Sequence, residues 1–190
     1  MKLFSAMSIT LATMLVFSGN VKAGPTIKLD RKNVPAGTVL LFETSKGKRF
    51  STKIVSKTEF LNSSGTTVKK NADGNTLSNG KTVFRPHSGY RPPGARGKLS
   101  VGQAWTHKYT SHGAARKRDC RVVKKGTFKG RKASVEGAYL ITCNNQRADR
   151  DLPRREEIWF SPDLFAEIAY KATWGGTSPG GFWVELVGKK

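Results

Sequence analysis

Beyond Gly24 the chain has no sustained run of apolar residues at helical spacing. Short segments rich in Val, Ile, Thr, Phe, Tyr and Trp alternate with Gly, Pro, Asn and Ser, the pattern of strands joined by turns. The expected strands are 38–44, 49–56, 66–70, 81–84, 104–110, 120–124, 132–136, 138–143, 156–160, 166–173 and 182–187. Turn chemistry separates them at Ser45-Lys46-Gly47, Ala72-Asp73-Gly74-Asn75, Ser78-Asn79-Gly80, Gly126-Thr127 and Ser161-Pro162-Asp163. The pattern predicts an all-β, mostly antiparallel chain. A short helix fits around 148–157, kept short by Pro153, which lacks an N–H and clashes with the preceding turn.

Two passages are alike. Lys53-Ile54-Val55-Ser56-Lys57-Thr58-Glu59-Phe60 aligns with Arg121-Val122-Val123-Lys124-Lys125-Gly126-Thr127-Phe128. Upstream, Ala36-Gly37-Thr38-Val39-Leu40 stands at a similar offset to Val101-Gly102-Gln103-Ala104-Trp105. This predicts two related meander halves, about 24–84 and 99–190, each too small to bury enough surface alone and therefore sharing one core. Between them, residues 85–98 are rich in Pro, Gly and Arg and read as a crossover loop. A Gly-rich loop at 175–181 joins the last two strands.

Residues 1–23 read as a secretory signal peptide. Lys2 supplies the positive start, an apolar run ends at Phe17, and Val21-Lys22-Ala23 places small residues where cleavage before Gly24 requires them. The run is shorter than the roughly 20 residues that span a bilayer as a helix. The product, residues 24–190, is expected as a single periplasmic or secreted domain. Cys120 and Cys143 are the only thiols, and an oxidising compartment favours joining them as a disulfide.

From Leu99 the order of signals resembles a known grouping. Leu99-Ser100-Val101-Gly102-Gln103-Ala104-Trp105 is followed by Gly126-Thr127-Phe128 and by Ile158-Trp159-Phe160-Ser161-Pro162-Asp163-Leu164. In its C-terminal half the chain is similar to a loosely defined group of secreted bacterial all-β proteins of unknown function, with VGxxW, GTF and W-[FY]-S-P motifs. The resemblance implies an extended antiparallel sheet or an open half barrel, and carries no catalytic residues. The strong basicity and the cysteine pair depart from that group.

The sequence contains no Gly-x-Ser-x-Gly elbow, His-Glu-x-x-His helix, Walker loop or dinucleotide fingerprint. Asn71-Ala72-Asp73-Gly74-Asn75 resembles the start of a calcium loop, but Thr82 stands where the bidentate Glu belongs. No catalytic residue, metal site or cofactor is expected. His107 is the one titratable group of interest, because alternation places it on one strand face with Trp105 and Tyr109. A hydrolase using it is the third functional reading.

Charge is the strongest functional signal. The chain carries 34 Lys and Arg against 13 Asp and Glu, a formal charge of +21, and its isoelectric point is near 10.4. Arg116, Lys117, Arg118, Arg121, Lys124, Lys125, Lys129, Arg131 and Lys132 crowd one short stretch against Asp119 alone. Lys46, Lys48, Arg49, Lys53 and Lys57 mark the equivalent stretch of the first half. Outside the cytoplasm the abundant anions are phospholipid headgroups, lipopolysaccharide phosphates and acidic polymers, which Arg and Lys can hold. The first reading is therefore non-enzymatic binding of an anionic cell-envelope component through the 116–132 face. The second is a carrier of an apolar or lipid ligand in a half-barrel groove lined by C-terminal aromatics such as Trp159, Tyr170, Phe182 and Trp183. Export and the lack of a recognisable fold signature rank nucleic acid lower. The oligomeric state is left open.

Overall fold

The computed structural model describes residues 34–56, 58–72, 76–79, 82–83, 92, 98–111, 114–147, 154–164, 166–175 and 179–190. The expected signal segment, nearly all of the 85–98 connection and the centre of the 175–181 loop lie outside them. The described chain forms twelve strands. In the first half these are β1 (Val39–Thr44), β2 (Arg49–Ile54), β3 (Glu59–Asn62), β4 (Thr67–Lys70), β5 (Thr76–Asn79) and β6 (Thr82–Val83). In the second they are β7 (Ala104–Ser111), β8 (Ala114–Lys129), β9 (Ser134–Arg147), β10 (Arg154–Ser161), β11 (Ala166–Trp174) and β12 (Gly180–Lys189).

All twelve join one antiparallel sheet in the order β6-β5-β4-β3-β2-β1-β12-β11-β10-β9-β8-β7. Each half is a simple meander, and the two are welded where the first strand of one pairs the last strand of the other, Phe42 opposite Leu186 and Thr44 opposite Val184. The sheet is not closed: β6 and β7, consecutive in the chain, are its two edges. The all-β, antiparallel, open architecture is thus as the sequence predicts.

Both meanders open on the same device. Gly37 and Gly102 take φ of 102° and 88°, a left-handed conformation that glycine adopts without Cβ strain. Gly37 N–H donates to the Ile54 carbonyl at 2.8 Å and Gly102 N–H to the Val122 carbonyl at 2.9 Å. Ile54 and Val122 return the bond, to the carbonyls of Thr38 and Gln103. The register beyond is the same: Val39 faces Lys53 as Ala104 faces Arg121, and Phe42 faces Phe50 as His107 faces Arg118. Gly37, Thr38, Val39, Lys53 and Ile54 and their counterparts Gly102, Gln103, Ala104, Arg121 and Val122 are among the residues that the sequence alignment superposes. The Phe42–Phe50 and His107–Arg118 pairs extend it.

Two local expectations are corrected. Arg154–Ser161 is strand, so no helix occupies 154–157, while 148–153 lie outside the described residues. Segments 132–136 and 138–143 are one strand, because Gly137 (φ 68°) bulges inside β9 instead of ending it. Strands β3 and β5 were not foreseen.

Apolar packing falls into two clusters. One draws on both halves: Leu40, Phe42, Ile54 and Phe60 with Phe128, Val135, Ala138, Ile168 and Leu186. The second belongs to the C-terminal half and surrounds the disulfide, with Leu99, Val122, Ile141, Ile158 and Phe160. Cys120 and Cys143 are direct cross-strand partners, 4.1 Å apart at Cα, and are joined as expected.

Candidate functional site

Alternation divides the basic run before any ligand is considered. Successive strand residues point to opposite faces, and Cys120 and Val122 fix the inner face of β8 by their burial. Arg116 and Arg118 therefore turn inward with them, Arg118 only 3% exposed, while Lys117, Asp119 and Arg121 turn outward. Lys117 pairs with Asp119 at 2.8 Å, and the Thr106 hydroxyl donates to the same carboxylate at 2.6 Å. Lys117 and then Thr106 hold the Asp119 carboxyl below its ordinary pKa. After the bulge at Val123, the Lys124 ammonium lies 5.4 Å from the Trp159 ring and that of Lys125 lies 5.5 Å from the Tyr139 ring. Arg121, Lys124, Lys125 and Lys129 are exposed.

Arg131 and Lys132 serve a different purpose. They sit at the tip of the β8–β9 hairpin, which reaches two carboxylates of the central strands. Lys132 Nζ donates to Glu43 Oε2 at 2.8 Å, and an Arg131 terminal nitrogen donates to Glu43 Oε1 at 3.0 Å. Arg131 Nε donates to Glu185 at 2.8 Å, and its guanidinium stacks 3.8 Å from the Trp183 ring. Arg49 completes the cluster on Glu43 at 3.0 Å. Lys132 first, then Arg49, lower the Glu43 pKa to about 2 against a smaller opposing effect of burial. This is a clasp that fastens the hairpin over the weld between β1 and β12. The structure thus brings Lys117, Arg121, Lys124, Lys125 and Lys129 to exposed positions, holds the also exposed Arg131 and Lys132 in the clasp, and turns Arg116 and Arg118 inward.

The inner face of the first half carries a groove of about 230 Å³. Leu40, Phe42, Phe50, Phe60, Val68 and Val184 supply an almost wholly apolar wall. Lys70 enters that wall, its ammonium 4.3 Å from the Phe60 ring centre and 3.8 Å from Glu167. Tyr170 closes the groove on the side of the second half.

Past Tyr170 the same face becomes polar. Register aligns His107, Arg118, Asn145 and Arg154 in one cross-strand row, and Trp105, Cys120, Cys143 and Glu156 in the next. Glu156 is the anionic centre. Tyr170 Oη and Asn145 Nδ2 each donate to its Oε1 at 3.0 Å. Arg118 Nε stands 3.0 Å from Oε2 and Arg154 Nε 3.3 Å from Oε1, charge contacts whose N–H vectors are not aimed at the oxygens. Arg154 also donates to the Tyr170 hydroxyl, Asn145 Nδ2 reaches the Tyr109 hydroxyl at 3.0 Å, and the Arg118 guanidinium lies 5.2 Å from the Tyr109 ring. His107 is buried beside Tyr109, as strand alternation requires, with ring centres 6.0 Å apart. Among the described residues no group of three His, Cys, Asp or Glu side chains is placed to hold a metal ion.

Sequence reasoning missed most of this face: Asn145, Arg154 and Glu156 in the polar row, and Phe42, Phe50, Phe60 and Val68 in the groove. A usable signal existed. Pairing Cys120 directly with Cys143 forces Arg118 opposite Asn145, on the buried side.

No protein-family model matches this sequence, and no curated protein does. Among solved structures, the chain is similar to the hypothetical lipoprotein YmcC from Escherichia coli K12. The TM-score is 0.49 at 9% identity, over 81% of this chain and 85% of that one.

Proposed function

We propose that this is an exported, non-enzymatic protein that binds an anionic amphiphile of the cell envelope, its apolar part lying in the inner groove. The groove carries the reading: six aliphatic and aromatic side chains line one side of an open sheet on a chain of formal charge +21. Ligand sites are concave and mostly apolar, with few polar groups, and this one is narrow enough to suit a single chain. Each methylene buried contributes about 0.8 kcal/mol, so roughly ten contribute about 8 kcal/mol toward the association cost, and the anionic head must supply the surplus. The disulfide and the N-terminal sequence support export. Exposed Lys117, Arg121, Lys124, Lys125 and Lys129 attract the anionic surface on which such a ligand resides.

Thr52 lines the groove without belonging to the fully buried core. Thr52→Trp should fill it and weaken a fluorescent acyl probe at least tenfold, with the thermal transition within a few degrees of wild type. Unchanged probe binding in the folded variant would refute the groove. Mass spectrometry of protein isolated from native envelopes at low salt should then identify a co-purifying lipid.

A second reading, docking of an acidic polymer on the outer cations alone, is favoured by the exposure of Arg121, Lys124, Lys125 and Lys129. Changing Lys124, Lys125 and Lys129 to Glu would abolish that binding and spare the acyl probe.

A further inference from the structure

Single apolar side chains scattered over a surface are ordinary, and grouped ones call for a partner. Among the described residues, four large apolar side chains are exposed: Val55, Leu77, Val101 and Val123. Three of these four stand at the glycine device that opens each meander. Val101, 59% exposed, is the corner of the turn that Gln103 N–H closes on the Ser100 carbonyl at 3.1 Å. Val123, 43% exposed, is the residue that the bulge in β8 leaves without a register partner on β9. The 2.9 Å bond from Gly102 N–H to the Val122 carbonyl joins the two segments next to both valines, so they are neighbours at one corner. Val55 repeats Val123 in the first half, following Ile54 where Ile54 bonds Gly37.

Turn corners favour Asn, Asp, Ser, Gly or Pro, so local geometry gives no reason for a valine at 101. Cations flank this corner. Lys98, Arg121, Lys124 and Lys125 are all exposed, and Arg121 faces Ala104 in register just beyond the turn. The Lys124 and Lys125 ammoniums lie over the half-buried rings of Trp159 and Tyr139. Glu157 shares the cross-strand row of Arg121, and Lys171 faces that carboxylate in register.

We infer that the Val101–Val123 corner docks on an anionic bilayer, its two valines entering the headgroup region while Lys98, Arg121, Lys124 and Lys125 meet lipid phosphates. A small apolar anchor alone binds a membrane marginally, and a basic patch beside it supplies the second signal that holds. Trp and Tyr, the rings under Lys124 and Lys125, are the side chains that settle at headgroup level. An acidic polymer would use the cations and leave the valines in water, so charge alone does not account for their exposure. The inference goes beyond the proposed function: it names the surface that faces the membrane, and it stands whether or not the groove takes a ligand.

The full mature chain is sedimented with vesicles of phosphatidylcholine alone and of phosphatidylcholine mixed equally with phosphatidylglycerol. It should bind the mixed vesicles and not the neutral ones. A Val101→Ser, Val123→Ser variant, unchanged in charge, should bind them at least tenfold more weakly and keep its thermal transition and its acyl-probe affinity. Because Cys120 and Cys143 are joined, a new thiol can be labelled alone. A nitrobenzoxadiazole label on Val101→Cys should brighten and shift to the blue on mixed vesicles. The same label on Ser63→Cys, exposed in the β3–β4 turn, should not change. In the Thr52→Trp background the shift at 101 should persist at saturating lipid, even if acyl-probe binding proves independent of the groove. A shift lost there would mean that the groove holds the vesicle, and would overturn the docking corner. Valine variants that bind mixed vesicles like wild type, with the label at 101 unchanged, would overturn it too. Polyphosphate binding unaffected by those variants would then leave the cations to an acidic polymer.

Discussion

Glu43 shows how much one side chain can do in a basic protein. Its carboxylate receives Lys132, Arg131 and Arg49, residues far from it in the chain or across a hairpin. With its pKa lowered from 4.5 to about 2, the native state keeps Glu43 ionised where the unfolded chain protonates it. Stability from this source is complete above pH 4.5 and falls away as the pH drops toward 2. Glu43→Gln should therefore melt several degrees below wild type at pH 7, with the gap closing through that window in stepwise acid melts. A constant gap would show that the clasp contributes by shape alone. Little of this was legible in the sequence, because Glu43 and Arg131 stand 88 positions apart. Arg118 was more accessible: its burial follows from the cysteine register and a count of two.

At the level of strands, legibility followed composition. Segment 104–110 came through nearly whole because β-branched and aromatic residues dominate it, and segment 166–173 because Ile168, Tyr170 and Thr173 recur between turn signals. Strands β3 and β5 were missed because Asn62, Ser78 and Asn79 carry turn chemistry, and only pairing with a neighbouring strand overrides it. The 120–124 segment proved to be the centre of a 16-residue strand whose polar ends carry Arg116, Lys117 and Lys129. The disulfide lies across this longest hairpin. Its sequence separation of 23 makes it worth about 3 kcal/mol in the chain-entropy model, or roughly 6 to 12 °C for a domain of this size. A Cys120→Ser, Cys143→Ser double variant should melt lower by that amount under non-reducing conditions. No shift would mean that strand pairing already restricts the unfolded chain as much as the bridge does.

For the whole molecule, the halves divide the labour that their shared register would have made equal. The first lines its inner face with a groove of hydrocarbon, and the second adds polar rows of Arg118, Asn145, Arg154 and Glu156 beside its own apolar cluster. The open sheet sets them side by side with exposed cations on its surface. Long-range charge and short-range burial then act on different rate constants. Attraction between a strongly cationic protein and an anionic vesicle operates over the Debye length, about 10 Å at 0.1 M salt, and governs encounter. Escape of a chain from the groove depends on apolar contacts, which moderate salt leaves nearly unchanged. In stopped-flow measurements with vesicles containing anionic lipid, the association rate should fall more than tenfold between about 50 and 200 mM salt. The dissociation rate should stay within about twofold over the same range, and Thr52→Trp should raise it without touching association. If salt accelerated dissociation as steeply as it slowed encounter, phosphate contacts alone would hold the complex, and the apolar half of the sheet would be only core.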